Sequence, residues 1–166
     1  MATAETRSCS NCDCEVTEDS DFCPHCGVIF ELIEKVLCET HPERPASTVC
    51  IICRATLCKE CAQRVRRRFF CNEHCSVEVE EDWAEVYRTH DANDAEMVKS
   101  VLAAAGVGVQ AQNLSPAPMG AFFGESAVFR LLMRYPAKIF VPIPEYAHAV
   151  QVLKDWQSDS IEAGKL

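Results

Sequence analysis

The chain has 166 residues, 12 of them cysteine, and a formal charge of −9. Its opening stretch "MATAETRSCSNC" lacks the apolar run of a signal peptide, and no stretch approaches the roughly 18–20 apolar residues of a membrane span. The sequence therefore predicts a soluble, cytoplasmic chain with no membrane contact. In a reducing compartment paired cysteines act as metal ligands before they act as disulfides, so small metal-stapled modules are expected. The acidity is shared unevenly, −3 up to residue 75 and −6 from 76 onward, and it deepens if thiolates bind zinc, which repels a phosphate backbone unless a local basic patch exists.

Residues 9–27 read "CSNCDCEVTEDSDFCPHCG". Cys9/Cys12 and Cys23/Cys26 form two knuckles around a polar stretch short enough for a hairpin, and Gly27 supplies the permissive backbone such a knuckle needs after its second cysteine. The arrangement resembles a small zinc ribbon, taken to span 7–29. Cys14 is an alternative to Cys12 or a thiol outside the site, and His25 is expected to be solvent-exposed rather than a ligand. The next segment, 30–37, "FELIEKVL", is a connector with Phe30, Ile33 and Leu37 at helical spacing, and a strand is the alternative.

From 38 to 76 the ligand order is Cys38-x2-His41, Cys50-x2-Cys53, Cys58-x2-Cys61 and Cys71-x2-His74, which is four pairs and enough for two closed sites. Each pair puts two ligands on one tight turn, and so short a segment needs such a staple to fold. The spacing resembles the B-box zinc finger. That family's cross-braced plan implies one ion held by Cys38, His41, Cys58 and Cys61 and another by Cys50, Cys53, Cys71 and His74. The gap between Cys61 and Cys71 is longer than the shortest B-box spacings, and Cys75 is the alternative to His74. Three structural zinc ions are expected in all. Closed four-ligand sites leave no position for water or substrate, so a hydrolytic zinc is disfavoured. Within this segment "RVRRRFF", with Arg64, Arg66, Arg67, Arg68, Phe69 and Phe70, has the composition of a nucleic-acid contact. The acidic run "EVEED" at 78–82 follows closely enough to neutralise it, and a solvated or internally paired face is expected.

Beyond residue 82 cysteine disappears. "DWAEVYRTH" predicts a strand. "DANDAEMVKSVLAAAG" predicts a helix capped by Asp91 or Asn93, with Met97, Val98, Val101, Leu102 and Ala105 on its inner face and Gly106 as terminator. "VGVQAQN" is a second strand, and "AKIFVPIP" a third with Ile139, Val141 and Ile143 on one side. "PEYAHAVQVLKDWQ" predicts a helix with Pro144 in its first turn and Ala149, Val152, Leu153 and Trp156 inside. The order is that of an α+β sandwich of sheet and two helices, over 82–158. These stretches resemble the bacterial family labelled prokaryotic signal-transducing protein, and the resemblance implies a ferredoxin-like fold related to PII-type signalling proteins, without assigning ligand residues.

The apolar segment 114–138, with Met119, Phe122 and Phe123, is read either as a contact surface or, with "AVFRLLMRY" as a strand, as part of the core. His90 and His148 are expected to be incidental, with Asp91 a cap rather than an acid–base partner. No nucleophile–base motif, phosphate-cradling loop or paired carboxylate stands out, so an enzyme is disfavoured. The expected role is a zinc-binding adaptor or signalling protein with protein partners, whose last domain oligomerises, binds a partner or senses a small-molecule effector. The runner-up is a redox sensor in which Cys14 and Cys75 attack zinc ligands, and the third reading is a nucleic-acid binder.

Overall fold

In the computed structural model, which describes residues 5–30, 36–113 and 135–163, the chain divides into two units, Met1–Val77 and Glu78–Leu166. The first is built from three antiparallel hairpins: β1 (Thr6–Ser8) with β2 (Glu15–Thr17), β3 (Thr48–Val49) with β4 (Thr56–Leu57), and β5 (Gln63–Val65) with β6 (Arg68–Phe70). Two-stranded ribbons this short are marginal in water by themselves. The β1–β2 turn carries Cys9 and Cys12, and the β3–β4 turn carries Cys50 and Cys53.

These two turns and the turn at Cys23–Val28 share one backbone plan. In each, the first cysteine's N–H donates to the carbonyl five residues on, and the N–H four residues on donates back to that cysteine's carbonyl. The bonds are Cys9 to Cys14 (2.9 Å) with Asp13 to Cys9 (2.8 Å), Cys23 to Val28 (2.8 Å) with Gly27 to Cys23 (2.8 Å), and Cys50 to Ala55 (2.9 Å) with Arg54 to Cys50 (2.9 Å). The residue after the second cysteine is left-handed every time: Asp13 at φ 64°, Gly27 at φ 85° and Arg54 at φ 66°. Glycine holds this conformation without strain, and Asp13 and Arg54 hold it at a cost of about 1 kcal/mol each.

Residues 9–27 and the following segment are joined through their backbones. Val49 N–H donates to the Gly27 carbonyl (2.7 Å), Phe69 N–H to the Cys26 carbonyl (2.9 Å), and Ile51 N–H to the Phe69 carbonyl (3.1 Å). The second knuckle thus sits between β3 and β6, and Val28 bridges Thr48. Cys9, Val16, Cys23 and Cys26 are buried together with Val28 and Phe30 against them, while Ile51 and Phe70 are buried in the following segment. Of the expected connector, residues 31–35 lie outside the described residues. Its end is extended: Leu37 bridges Pro45, and the Val36 carbonyl accepts from Ala46 N–H (2.8 Å).

The second unit is a four-stranded antiparallel sheet in the order β7 (Val79–Glu80), β8 (Trp83–Thr89), β10 (Ala137–Pro142), β9 (Gln110–Gln112). Helix α1 (Ala92–Ala104) connects β8 to β9, and α2 (Tyr146–Ala163) follows β10 through a 3-10 turn at Ile143–Glu145. Asp91 caps α1, its carboxylate accepting from the amides of Asn93 (2.8 Å) and Asp94 (3.4 Å), and Gly106 follows the helix at φ 78°. Ala95, Val98 and Leu102 from α1, Ile139 and Val141 from β10, and Ala149 and Leu153 from α2 form the buried core, with Val152 and Trp156 packed at its edge.

Several expectations change here. Met97 is 53% exposed, because the helix turns Ala95 inward in its place. The second strand is only Gln110–Gln112, shorter than "VGVQAQN" predicted. The alternation of β10 is broken by a register shift between Ile139 and Phe140, and Phe140 is buried as well. Ile143 is buried but belongs to the 3-10 turn rather than to the strand. β7 adds an edge strand before the expected start at 82. Met119, Phe122, Phe123 and nearly all of "AVFRLLMRY" lie outside the described residues; Tyr135 is exposed. Among the described residues, no helix is long and apolar enough to cross a membrane.

Candidate metal centres

The turns of the first unit bring Cys and His side chains into three groups: Cys9, Cys12, Cys23 and Cys26; Cys38, His41, Cys58 and Cys61; and Cys50, Cys53, Cys71 and His74. In each, one ligand atom per residue lies within 4.8 Å of all the others. A tetrahedral metal with metal–sulfur bonds of about 2.3 Å requires neighbouring sulfurs about 3.8 Å apart, and about 3.6 Å between sulfur and an imidazole nitrogen. The observed Sγ–Sγ separations are 3.7 Å for Cys9–Cys26, 3.6 Å for Cys12–Cys23 and 3.8 Å for Cys53–Cys71. His41 Nδ1 lies 3.6 Å from Cys58 Sγ and 3.2 Å from Cys61 Sγ. His74 Nδ1 lies 3.1 Å from Cys71 Sγ and 4.0 Å from Cys50 Sγ. A disulfide would need about 2.05 Å between sulfurs. Each group can therefore hold a metal ion, and its donors and spacing are consistent with zinc.

The knuckle amides prepare some thiols for this role. The Cys61 amide draws Cys58 down to about 6, helped by the Glu60 amide and His41 against the effect of burial. Burial raises Cys9, but the amides of Asn11 and Cys12 outweigh it and bring the thiol to about 7. Burial pushes Cys61 up to about 11, reinforced by Cys58 and Cys38, and it raises Cys23 and Cys26 as well. Amide donors disperse thiolate charge, and the raised members ionise only when a cation joins them. Burial is uneven among the groups. The first two each have three buried members and one half-buried, whereas the third has Cys50 buried, Cys53 exposed, and Cys71 and His74 half-buried.

Cys14 and Cys75 lie outside the groups. The Cys14 carbonyl closes the first knuckle, and its Sγ lies 3.8 Å from the Cys12 carbonyl; Cys75 Sγ lies 3.3 Å from the Asn72 carbonyl. His25 is half-buried rather than solvent-exposed, because the second knuckle packs into the following segment. His90 and His148 are exposed, and Asp91 is occupied as a helix cap.

The basic run forms the β5–β6 hairpin, with Arg66 (φ 47°) and Arg67 (φ 67°) as its two-residue turn. Asn11 Nδ2 donates to the Arg67 carbonyl (2.7 Å), Arg64 Nη2 donates to Asn11 Oδ1 (3.2 Å), and Arg67 Nη2 pairs with Asp13 (3.1 Å). Partners of this run come from the first knuckle. In "EVEED" Glu78 pairs with Lys138 and Arg88, and Glu80 accepts from Gln112. A surface cavity of ≈ 360 Å³ lies beside the second and third groups, lined by Cys53, Cys61, Cys71, Asn72, Glu39 and Glu73 among others. Sequence reasoning did not find the docking of the basic run on the first knuckle, because Asn11 and Asp13 lie 53 and 54 residues from their partners Arg64 and Arg67 along the chain.

A scan of family models, a search of curated proteins and a search of solved structures each found no match to this chain.

Proposed function

We propose that the chain is a non-enzymatic zinc-binding adaptor of the cytoplasm, in which three structural zinc ions hold the first unit as a rigid surface for protein partners. The observation that carries this reading is the closure of each group by four protein donors, which leaves no coordination position for a reacting water. The pairing of the second and third groups agrees with the cross-brace implied by the B-box resemblance. Engagement of Arg64 and Arg67 by Asn11 and Asp13 argues against a nucleic-acid interface in the basic run. The β8-α1-β9-β10-α2 succession, with β10 between β8 and β9, supports a ferredoxin-like reading of the second unit. With the resemblance to the signal-transducing family, that unit is read as the part that senses a small-molecule effector or forms a homo-oligomer.

Native mass spectrometry of protein purified without chelator, followed by thiol labelling, tests the metal content. Three ions with labels at Cys14 and Cys75 alone are expected. Two or fewer ions with labels on the nominal ligands overturn the closed scaffold. Partner binding is tested by comparing proteins crosslinked to the intact chain with those crosslinked to Cys58→Ser. Identical sets overturn the assignment of binding to the zinc-braced unit.

A further inference from the structure

The three groups differ in what a small oxidant can reach. In the first, the sulfur pairs Cys9–Cys26 and Cys12–Cys23 each contain at least one buried member, and in the second Cys38, Cys58 and Cys61 are all buried. In the third, Cys53 is exposed and Cys71 half-buried, their sulfurs are 3.8 Å apart, and both line the cavity of ≈ 360 Å³, which from the second group touches only Cys61, a buried residue whose sulfur is less open to solvent. Glu39 and Glu73, which also line the cavity, disfavour an anionic oxidant such as glutathione disulfide and leave a neutral peroxide free to enter. Reactivity of a thiolate toward oxidants follows its exposure, and a neighbouring thiolate makes the product a disulfide.

We propose that the third group is a peroxide-responsive site, in which Cys53 and Cys71 form a disulfide and release the ion that they share with Cys50 and His74. The proposal rests on the zinc reading of that group, and it differs from a switch driven by Cys14 and Cys75. The Cys53 thiolate attacks one oxygen of hydrogen peroxide, breaking the O–O bond to give a sulfenic acid and hydroxide. The Cys71 thiolate then displaces hydroxide from the Cys53 sulfur. The two sulfurs lose two electrons, the peroxide gains two, and the two hydroxides take up solvent protons to become water. The metal leaves as a dication, because Cys50 and His74 alone do not close a site. The sulfurs must approach from 3.8 Å to about 2.05 Å, which the exposed side of the knuckle permits. Release loosens the turn Cys71–Val77, where the chain leaves the first unit.

The test is stepwise addition of hydrogen peroxide to the zinc-loaded full chain, read by native mass spectrometry and disulfide mapping. The expected first product has lost one of its three ions and carries a single disulfide between Cys53 and Cys71. In Cys53→His, which keeps four ligands but removes the disulfide partner, the third ion should be retained at that dose. The Cys14→Ser/Cys75→Ser double variant should release it as the unaltered chain does. A three-ion chain whose first disulfide forms elsewhere, or whose release is abolished by the double variant, overturns the proposal alone. A chain isolated with two ions, and with Cys53 alkylated before any peroxide is added, overturns the zinc reading of the third group and the proposal with it. The map on the unaltered chain is decisive without any variant.

Discussion

The Gly27 carbonyl accepts the Val49 N–H at 2.7 Å, and a Cβ on Gly27 would collide with the Val49 carbonyl oxygen. The same glycine is left-handed at φ 85°, so it is fixed both by its own conformation and by the strand that crosses it. Gly106 has φ 78° and nothing within 4 Å of an added Cβ. Gly27→Ala should therefore destabilise the first unit by about 2–4 kcal/mol, from strain plus backbone displacement. Gly106→Ala should cost the second unit only about 1 kcal/mol. The two effects are separable in one urea titration of the full chain, because every cysteine lies in the first unit and both tryptophans, Trp83 and Trp156, lie in the second. Thiol labelling reports the first substitution and tryptophan emission the second. Equal costs would remove the steric argument.

Arg54 occupies the same left-handed position in its knuckle that Gly27 occupies in another. Arg54→Ala and Arg54→Gly both delete its stacking over Phe22, so the difference between them isolates the backbone. The glycine variant should be more stable than the alanine variant by about 1 kcal/mol, measured by urea titration with thiol labelling. Equal stability would mean that the knuckle relaxes when the side chain is removed.

These positions also show what could be read from the sequence. Cys-x2-Cys and Cys-x2-His pairs are contiguous, so their presence is legible, and Gly27 announces a left-handed residue because glycine is the residue that holds it without strain. Asp13 and Arg54 carry the same conformation silently. The carbonyl of Cys14 closes the first knuckle, and a backbone role leaves nothing in the side-chain code to separate this cysteine from a ligand. In the second unit the helix periods placed Val98, Leu102, Ala149 and Leu153 in the core. The same helical stripe put Met97 inside, since spacing alone does not fix how the helix is rotated by the sheet. The bulge opposite Ile139 and Phe140 likewise depends on the partner strand, which a single segment cannot show.

Asp91 takes two amide hydrogen bonds at the start of α1. Asp91→Ala should lower the stability of the second unit by about 1 kcal/mol, and Asp91→Asn by less, as the amide oxygen still accepts. Tryptophan emission during urea unfolding of the full chain measures both. An alanine variant indistinguishable from the parent would show that the cap bonds contribute nothing in solution.

Lys138 Nζ donates to both carboxylate oxygens of Glu78, at 2.8 and 2.7 Å. That bond is the main reason the Glu78 carboxyl lies below its ordinary value of 4.5, partial burial opposing it and Arg88 assisting. A carboxyl lowered in the folded state binds its proton more weakly there than in the unfolded chain. Its stabilising contribution is thus complete above about 4.5 and disappears as pH falls through the lower folded value. Unfolding of the second unit, followed by tryptophan emission between pH 7 and pH 3, should be less acid-sensitive in Glu78→Gln, which should be less stable than the parent at pH 7 by about 1 kcal/mol. Parallel pH profiles for the two proteins would show that the pair does not titrate with folding.

Removal of metal separates the units most directly. The three groups staple hairpins too short to persist alone, whereas the second unit has a continuous apolar core and contains none of the ligands. Treatment with a strong zinc chelator, or the substitution Cys58→Ser or Cys50→Ser, should expose thiols of the first unit to labelling and proteolysis. Tryptophan emission and the urea midpoint of the second unit should stay as they were. The single substitutions are the finer probe, because Cys58 and Cys50 serve different groups that share the β3–β4 hairpin. Cys50 begins the turn at its tip, and Cys58 follows β4. Loss of either ion should therefore loosen the other group without releasing its ion, so that both variants label faster than the parent at residues of both groups. Labelling confined to the substituted group would show that the groups are braced independently, and unchanged protease resistance in either variant would remove the two-ion account of the 38–76 segment.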